Sequence, residues 1–263
     1  MRNFDVAIIG AGTAGLTARR EVKKKTENYI VIDDGPLGTT CARVGCMPSK
    51  ALIQVANDFA RRQHLQEQGI HNGLQLRVDT AEVMRHVRKL RDRFVSGVMS
   101  GMSQWRNEKL IRKNARFIDQ HTLDLGDEQI RADTIIIAVG SRPVFPETLR
   151  KYASFIIDTN EFFELERLPA KIAVIGIGVI GLELGQALSQ LDIETTIIGR
   201  RARFGGLSDP VINDYISRKF AEQLDISLNG YVVNGVADSG RLKLTTGERE
   251  IEVDLILTAL GRR

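Results

Sequence analysis

The chain has two cysteines, with four residues between them, in Cys41-Ala-Arg-Val-Gly-Cys46-Met-Pro-Ser-Lys50. Paired thiols at such a spacing can pass between a dithiol and a disulfide, a two-electron redox step. The stretch after Cys46 reads as a helix, and Pro48 fits its first turn, where a missing N–H costs nothing. The positive end of that helix would face Cys46 and favour an anionic sulfur there. Gly45 allows a tight turn between the thiols. A second reading of the same local features, two buried structural thiols, stays open at this level.

The elements that must position these thiols begin at the N-terminus. Asp5-Val-Ala-Ile-Ile-Gly10-Ala-Gly12-Thr-Ala-Gly15 is a short apolar strand running into a Gly-x-Gly-x-x-Gly turn. Residues 16–25 read as a helix and 29–32 as a second strand, ending at Asp33. Such glycines allow the turn, the close approach of a pyrophosphate and tight helix–strand packing. The helix start holds the phosphates, and the carboxylate takes ribose hydroxyls.

The plan recurs. Lys171-Ile-Ala-Val-Ile-Gly176-Ile-Gly178-Val-Ile-Gly181 opens a second strand–turn–helix, with a helix expected over 182–191 and a strand over 195–198. Each copy closes alike, Asp133-Thr-Ile-Ile-Ile-Ala-Val-Gly140 matching Asp254-Leu-Ile-Leu-Thr-Ala-Leu-Gly261. Gly10 to Gly140 spans 130 positions and Gly176 to Gly261 spans 85, so the first copy carries 45 more. The natural place for them is 35–107, which holds the dithiol, its helix and an amphipathic helix over 78–104. Residues 112–125 read as a small antiparallel meander. The expected fold is α/β: two dinucleotide-binding, Rossmann-like units with parallel sheets, residues 1–145 and 146–263, the first with a helical insert and the meander.

The same register separates the two nucleotide sites. Asp33 lies 23 positions after Gly10, and the position 23 after Gly176 is Gly199, followed by Arg200, Arg201 and Arg203. Cations without a carboxylate suit a ribose 2′-phosphate, which a guanidinium binds bidentately and a carboxylate repels. This favours NADP(H) over NAD(H), with a plain polar turn as the other reading of the arginines.

Composition excludes several classes. The 43% hydrophobic and 27% charged content is that of a globular protein. No apolar run approaches the ~20 residues of a membrane span, and the N-terminus enters directly on a strand pattern, so no membrane partner and no export signal are expected. Two cysteines without such a signal point to the reducing cytoplasm, where a disulfide is catalytic more often than structural. The cations Arg85, Arg88, Lys89, Arg91 and Arg93 share a helical stretch without interleaved aromatics, a solvated face and not a nucleic-acid stripe. The four histidines make no metal-like spacing, so no metal is expected.

Assembled, the two glycine motifs and the dithiol resemble the group I pyridine nucleotide–disulfide oxidoreductases, the family of dihydrolipoamide dehydrogenase, glutathione reductase and mercuric reductase. The resemblance covers the whole chain. Its most specific element is Thr40-Cys41-Ala-Arg-Val-Gly-Cys46-Met-Pro-Ser-Lys50, similar to the family's Gly-Thr-Cys-Leu-Asn-Val-Gly-Cys-Ile-Pro-Ser-Lys.

The resemblance implies FAD in the first unit, at Gly10, Gly12, Thr13, Ala14, Gly15, Asp33, Thr40, Lys50, Ala115, Ala138, Gly140 and Ser141. It implies NAD(P)H in the second, at Gly176, Gly178, Ile180, Gly181, Gly199, Arg200 and Gly261. Cys41 would be the exposed interchange thiol that meets a small disulfide or dithiol substrate, and Cys46 the charge-transfer thiol against the flavin. Lys50 resembles the lysine near the flavin N5, with Glu183 as its ion-pair partner. Dihydrolipoamide is the first substrate implied. Glutathione-type or other disulfides reduced by NADPH are the alternative, favoured by Arg200 and by Thr13 and Arg20.

Three departures stand out. Leu37-Gly38-Thr39-Thr40 replaces the usual Gly-Gly-Thr, Val139 replaces a threonine, and Gly199 replaces the glutamate of NAD-using members. Family members also continue beyond the length seen here, with a second FAD segment and an interface domain that bears an acid–base histidine and builds a homodimer. On that resemblance the chain reads as truncated, either weakly active or a nucleotide-binding fragment without turnover.

Overall fold

The computed structural model describes residues 1–228, 232–238, 240–247 and 249–263. Strand β1 (Arg2–Ile9) leads through Gly10 into helix α1 (Thr13–Val22) and back along strand β2 (Tyr29–Ile32). Helix α1 starts at the glycine turn itself, three residues ahead of the expected 16–25. The insertion follows, with α2 (Thr40–Val44), α3 (Cys46–Ala60) and α4 (Thr80–Met102). After α5 (Arg106–Lys109) come strands β3 (Leu110–Ile111), β4 (Arg116–Phe117), β5 (Thr122–Asp124) and β6 (Gln129–Ile137).

The second half repeats the plan. Strand β7 (Ile156–Asp158) and helix α6 (Thr159–Phe162) precede β8 (Lys171–Ile175), α7 (Val179–Gln190) and β9 (Glu194–Gly199). Helix α8 (Pro210–Ala221) and β10 (Asp225–Leu228) follow, then β11 (Val232–Asp238), β12 (Arg241–Thr246), β13 (Arg249–Val253) and β14 (Leu255–Thr258).

The sheets explain why the glycine turns matter. The first has the order β3-β2-β1-β6-β5-β4, parallel from β3 to β6, with β6, β5 and β4 forming the antiparallel meander. The second is fully parallel, β10-β9-β8-β14-β7. In each, the chain leaves the central strand (β1 or β8) for one side and later fills the other (β6 or β14). The crevice at that reversal, outside the carboxyl ends of the strands, is where α/β sheets hold ligands. A third sheet, β11-β12-β13, is antiparallel and was not expected from the sequence. Leu242, Leu244 and Val253 share a core with Ala173, Ile198 and Ile256 of the parallel sheet, and Arg249 adds a polar tie, bidentate on Asp225 at 2.8 and 3.0 Å.

Packing divides the chain into residues 1–43 with 91–141, and residues 44–90 with 142–263. In sequence the insertion belongs to the first unit, between β2 and β3, yet its first half packs with the second. Leu52 and Ala56 of α3 and Val83, Met84 and Val87 of α4 share one core with Leu184, Ala187 and Leu188 of α7. The second unit resumes at residue 142, slightly ahead of the expected 146. The amides of Arg142 and Val144 donate to the carbonyls of Arg263 and Gly261 at 2.8 and 3.0 Å, which fixes that segment in the second unit. The first unit has cores on both sheet faces. Ala7, Ile30, Leu123 and Ile130 build one, and Ile8, Tyr29, Val31, Met102 and Trp105 the other.

Candidate redox and nucleotide-binding sites

In the first unit, Gly10 takes a φ of +110°, which only glycine adopts without strain. A Cβ there would lie 2.2 Å from Ala138 O, and one on Gly15 would lie 1.7 Å from Gly10 O. These two glycines let helix, turn and strand press together. Gly12 is different, because a Cβ on it would meet nothing within 4 Å. It stands at the N-cap of α1, with no side-chain cap and no acid in the first turn, while Thr13 and Ala14 are exposed. The unsatisfied N–H groups and positive dipole there fit a pyrophosphate such as that of FAD.

Asp33 does more than the sequence suggested. Its Oδ2 accepts from the Ala11 amide at 2.5 Å and its Oδ1 from the Gly35 amide at 2.8 Å. The carboxylate therefore locks the glycine turn to the end of β2, and its remaining lone pairs are what ribose hydroxyls would use. Arg112 Nη1 lies 4.0 Å from Asp33 Oδ1, a cation that no sequence motif pointed to. The Ala138 amide donates to Ile9 O at 2.8 Å, and Gly140 turns with a φ of +71°. Ser141, Val139 and Thr40 are exposed, whereas Ala115 is half-buried against the core that holds Leu123.

The second unit reproduces this geometry. Gly176 has a φ of +121°, and a Cβ there would lie 2.5 Å from Ala259 O. A Cβ on Gly181 would lie 2.0 Å from Gly176 O, and Gly178, the N-cap of α7, is open within 4 Å. The Ala259 amide donates to Ile175 O at 2.8 Å, and Gly261 turns with a φ of +95°. Ile180 is part-exposed on the first turn of α7. Beside this turn lies a cleft of about 520 Å³ lined by Thr148, Leu149, Gly176, Ile177, Arg200 and Arg201 among others. Arg203 points elsewhere, its Nε donating to Leu207 O at 3.2 Å.

The dithiol lies on two consecutive helices. Thr39 precedes α2 with a φ of +65°, uncommon for a β-branched residue, and its hydroxyl accepts from the Ala42 amide at 3.2 Å. This is the position where the family pattern has a glycine. Cys41 lies in α2, and Cys46 is the first residue of α3, with Gly45 at the N-cap and no acid in the first turn. No disulfide joins them, and Cys46 is exposed while Cys41 is half-buried, the reverse of the expected order. Cys46 begins its helix, whereas Cys41 lies inside α2 next to the buried Ala42. One turn further along α3, Lys50 Nζ lies 2.6 Å from Glu183 Oε1 of α7, so the structure brings the two expected partners together.

Residues 4–263 match the family model described as pyridine nucleotide-disulphide oxidoreductase. The chain belongs to that family. Among curated relatives it is 29% identical to mercuric reductase of Lysinibacillus sphaericus, covering 99% of this chain and 48% of the relative. It is 30% identical to dihydrolipoyl dehydrogenase of Mycoplasma genitalium, covering 99% and 58%. The chain thus spans about half the length of the curated relatives it matches. Among solved structures, the Cu(II) complex of the HOCl-induced flavoprotein disulfide reductase RclA from Escherichia coli superposes with a TM-score of 0.81 at 24% identity, over 98% of this chain and 56% of that one. Among the described residues, no three or more His, Cys, Asp or Glu side chains cluster as metal ligands, and no helix is long and apolar enough to cross a membrane. The family is FAD- and NAD(P)-dependent, and both glycine turns fit such nucleotides by their open Gly12 and Gly178.

Proposed function

We propose that these residues belong to an FAD-dependent disulfide oxidoreductase in which electrons pass between NAD(P)H, flavin and the Cys41–Cys46 pair. The observation that carries this reading is the 2.6 Å Lys50–Glu183 pair, because it joins the dithiol helix to the helix that opens at the second phosphate turn. FAD, held at Gly10, Gly12, Gly15 and Asp33, supplies the hydride chemistry when bound. The protein's own part is sulfur exchange. The Cys41 thiolate attacks one sulfur of a substrate disulfide, and the other sulfur leaves and takes a proton. Cys46 then attacks the Cys41 sulfur, restoring the internal disulfide and releasing the second thiol. Two electrons have moved from the dithiol to the substrate. Cys46 is the first residue of a 15-residue helix whose first turn carries no acid. Lys50 brings a positive charge to the same helix, with Glu183 holding it in place.

Dihydrolipoamide is the substrate we favour, with the reaction running in either direction. A second reading, NADPH-dependent reduction of glutathione-type or other disulfides, is favoured by Arg200 and Arg201 on the cleft beside Gly176. A reducing cytoplasm and a homodimer suit both. The test is to reduce the complete protein carrying these residues with NADPH or NADH, and then offer lipoamide, glutathione disulfide or Hg(II). Lipoamide turnover with NAD(H) supports the first reading, and NADPH-driven reduction of another acceptor the second. No bound flavin and no acceptor turnover would refute both and leave a nucleotide-binding module.

A further inference from the structure

Gly199 ends β9 at the position where the first unit has Asp33. Its φ is not in the left-handed region, so its backbone would accept any residue. What it supplies is space. A Cβ on Gly199 would lie 2.8 Å from Ile177 Cγ2, 3.1 Å from Ile177 Cδ1 and 3.2 Å from Leu228 Cδ2. Ile177 stands between the first two glycines of the turn, is 7% exposed and packs with Val174, Leu182 and Ile197. Its Cγ2 hangs directly on Cβ, so rotation about χ1 brings another branch into the same place. The corresponding residue of the first unit is Ala11, whose small side chain leaves the Asp33 carboxylate room to reach the Ala11 amide at 2.5 Å. The two units fill the same volume in two ways: alanine with a carboxylate, or isoleucine with no side chain opposite.

Resting on the second unit being the nicotinamide-nucleotide site, we propose that Ile177 is a specificity-determining residue. Its side chain occupies the volume that a ribose-binding carboxylate at position 199 would need. The site is thereby committed to an adenosine ribose carrying a 2′-phosphate, with Arg200 and Arg201 on the same cleft. The Ile177 backbone serves the same end. Its carbonyl accepts from the Gly205 amide at 2.8 Å, and the Phe204 amide donates to Asn213 Oδ1 at 2.9 Å. The segment bearing the arginines is thus anchored to the residue that excludes the acid.

The experiment is a double-mutant cycle on the full chain with Gly199→Asp, Ile177→Ala and both together. Melting temperature and the affinities for NADPH and NADH are read for each. Gly199→Asp alone is expected to lower the melting temperature by several degrees and to gain no NADH binding. In the Ile177→Ala background the same substitution should cost little stability and move the NADH-to-NADPH affinity ratio at least about tenfold toward NADH. An equal stability cost in both backgrounds, or an equal shift with Gly199→Asp alone, overturns the proposal. If the unaltered chain binds neither nucleotide, the nucleotide reading of this unit fails, while the melting-temperature coupling still decides whether Ile177 fills the space of position 199.

Discussion

Lys50 Nζ and Glu183 Oε1 lie 2.6 Å apart, tying helix α3 to helix α7 near the starts of both. Their side chains are 57% and 34% exposed, so the pair contributes only ~0–1 kcal/mol to stability. Under the function proposed above, the pair places an ammonium one turn along α3 from Cys46. Lys50→Met and Glu183→Gln are therefore expected to leave the melting temperature nearly unchanged. Reduction of the complete protein by nicotinamide nucleotide should slow by about tenfold or more, equivalent to ~1.4 kcal/mol of barrier. Because the two act as one unit, the double variant should be little slower than either single. Stopped-flow rates that simply multiply would show that the residues work independently.

Gly12 and Gly15 should separate binding from folding. Gly12→Ala places its methyl in open space, so stability is expected within about 0.5 kcal/mol of the parent while flavin or ADP binding falls sharply. Gly15→Ala drives a Cβ to 1.7 Å from Gly10 O, so the turn and helix α1 must separate and the fold is lost. Thermal melts with and without ADP distinguish the two outcomes.

Much of this was legible because the glycine turns are stereochemical necessities. Gly10 and Gly176 need left-handed φ and Gly15 and Gly181 need backbone contact, so a fixed pattern of glycines marks both turns in sequence. Strand β2 matched its expected span because four fully buried apolar residues sit between turn residues. The β11–β13 sheet was missed although Arg241–Thr246 alternates exposed and buried positions, because only two of its six side chains, Leu242 and Leu244, are apolar. Arg112 and Ile177 were invisible as site residues, since a lone loop arginine and a core isoleucine carry no spacing signal. Only their neighbours, Asp33 and Gly199, give them meaning.

Arg200 and Arg201 line the cleft beside Gly176, so each should contribute a charge-assisted contact to a 2′-phosphate. Replacing either with alanine is expected to weaken NADPH binding by about tenfold or more, from ~1.5–3 kcal/mol per such hydrogen bond. NADH binding should change little. Raising the salt concentration should weaken NADPH binding in the parent more than in the variants. Titration calorimetry at two ionic strengths reads all three effects, and equal losses for both nucleotides would remove the arginines from 2′-phosphate recognition.

The dithiol can be checked without any cofactor. Alkylation of the reduced chain should label both Cys41 and Cys46, with Cys46 faster because it is exposed and Cys41 is half-buried. After mild oxidation neither should label, and in Cys41→Ser or Cys46→Ser the remaining thiol should stay reactive. In the complete, reduced protein Cys46→Ser should also abolish any long-wavelength absorbance that depends on a thiolate beside the flavin. Persistence of that band would assign it to another group.

The ion pair between the third sheet and the parallel sheet makes a pH-dependent prediction. Arg249, bidentate on Asp225, together with the hydroxyl of Thr196 at 2.7 Å, holds the Asp225 carboxyl below its ordinary value of 3.8. A carboxyl that binds its proton less tightly when folded stabilises the fold above the unfolded value. That contribution disappears as pH falls through the lower folded value. At neutral pH, Asp225→Asn should therefore cost stability, of order 1 kcal/mol or less because both partners are about half exposed. The difference between variant and parent should persist down to about pH 4 and close at lower pH, as the parent loses the same interaction. Arg249→Ala should show the same convergence, since it removes the main cause of the depressed carboxyl. Denaturant melts at neutral pH and in the acid range test this. A gap that stays constant into strong acid would mean that the pair's charge is not what joins β10 to β13.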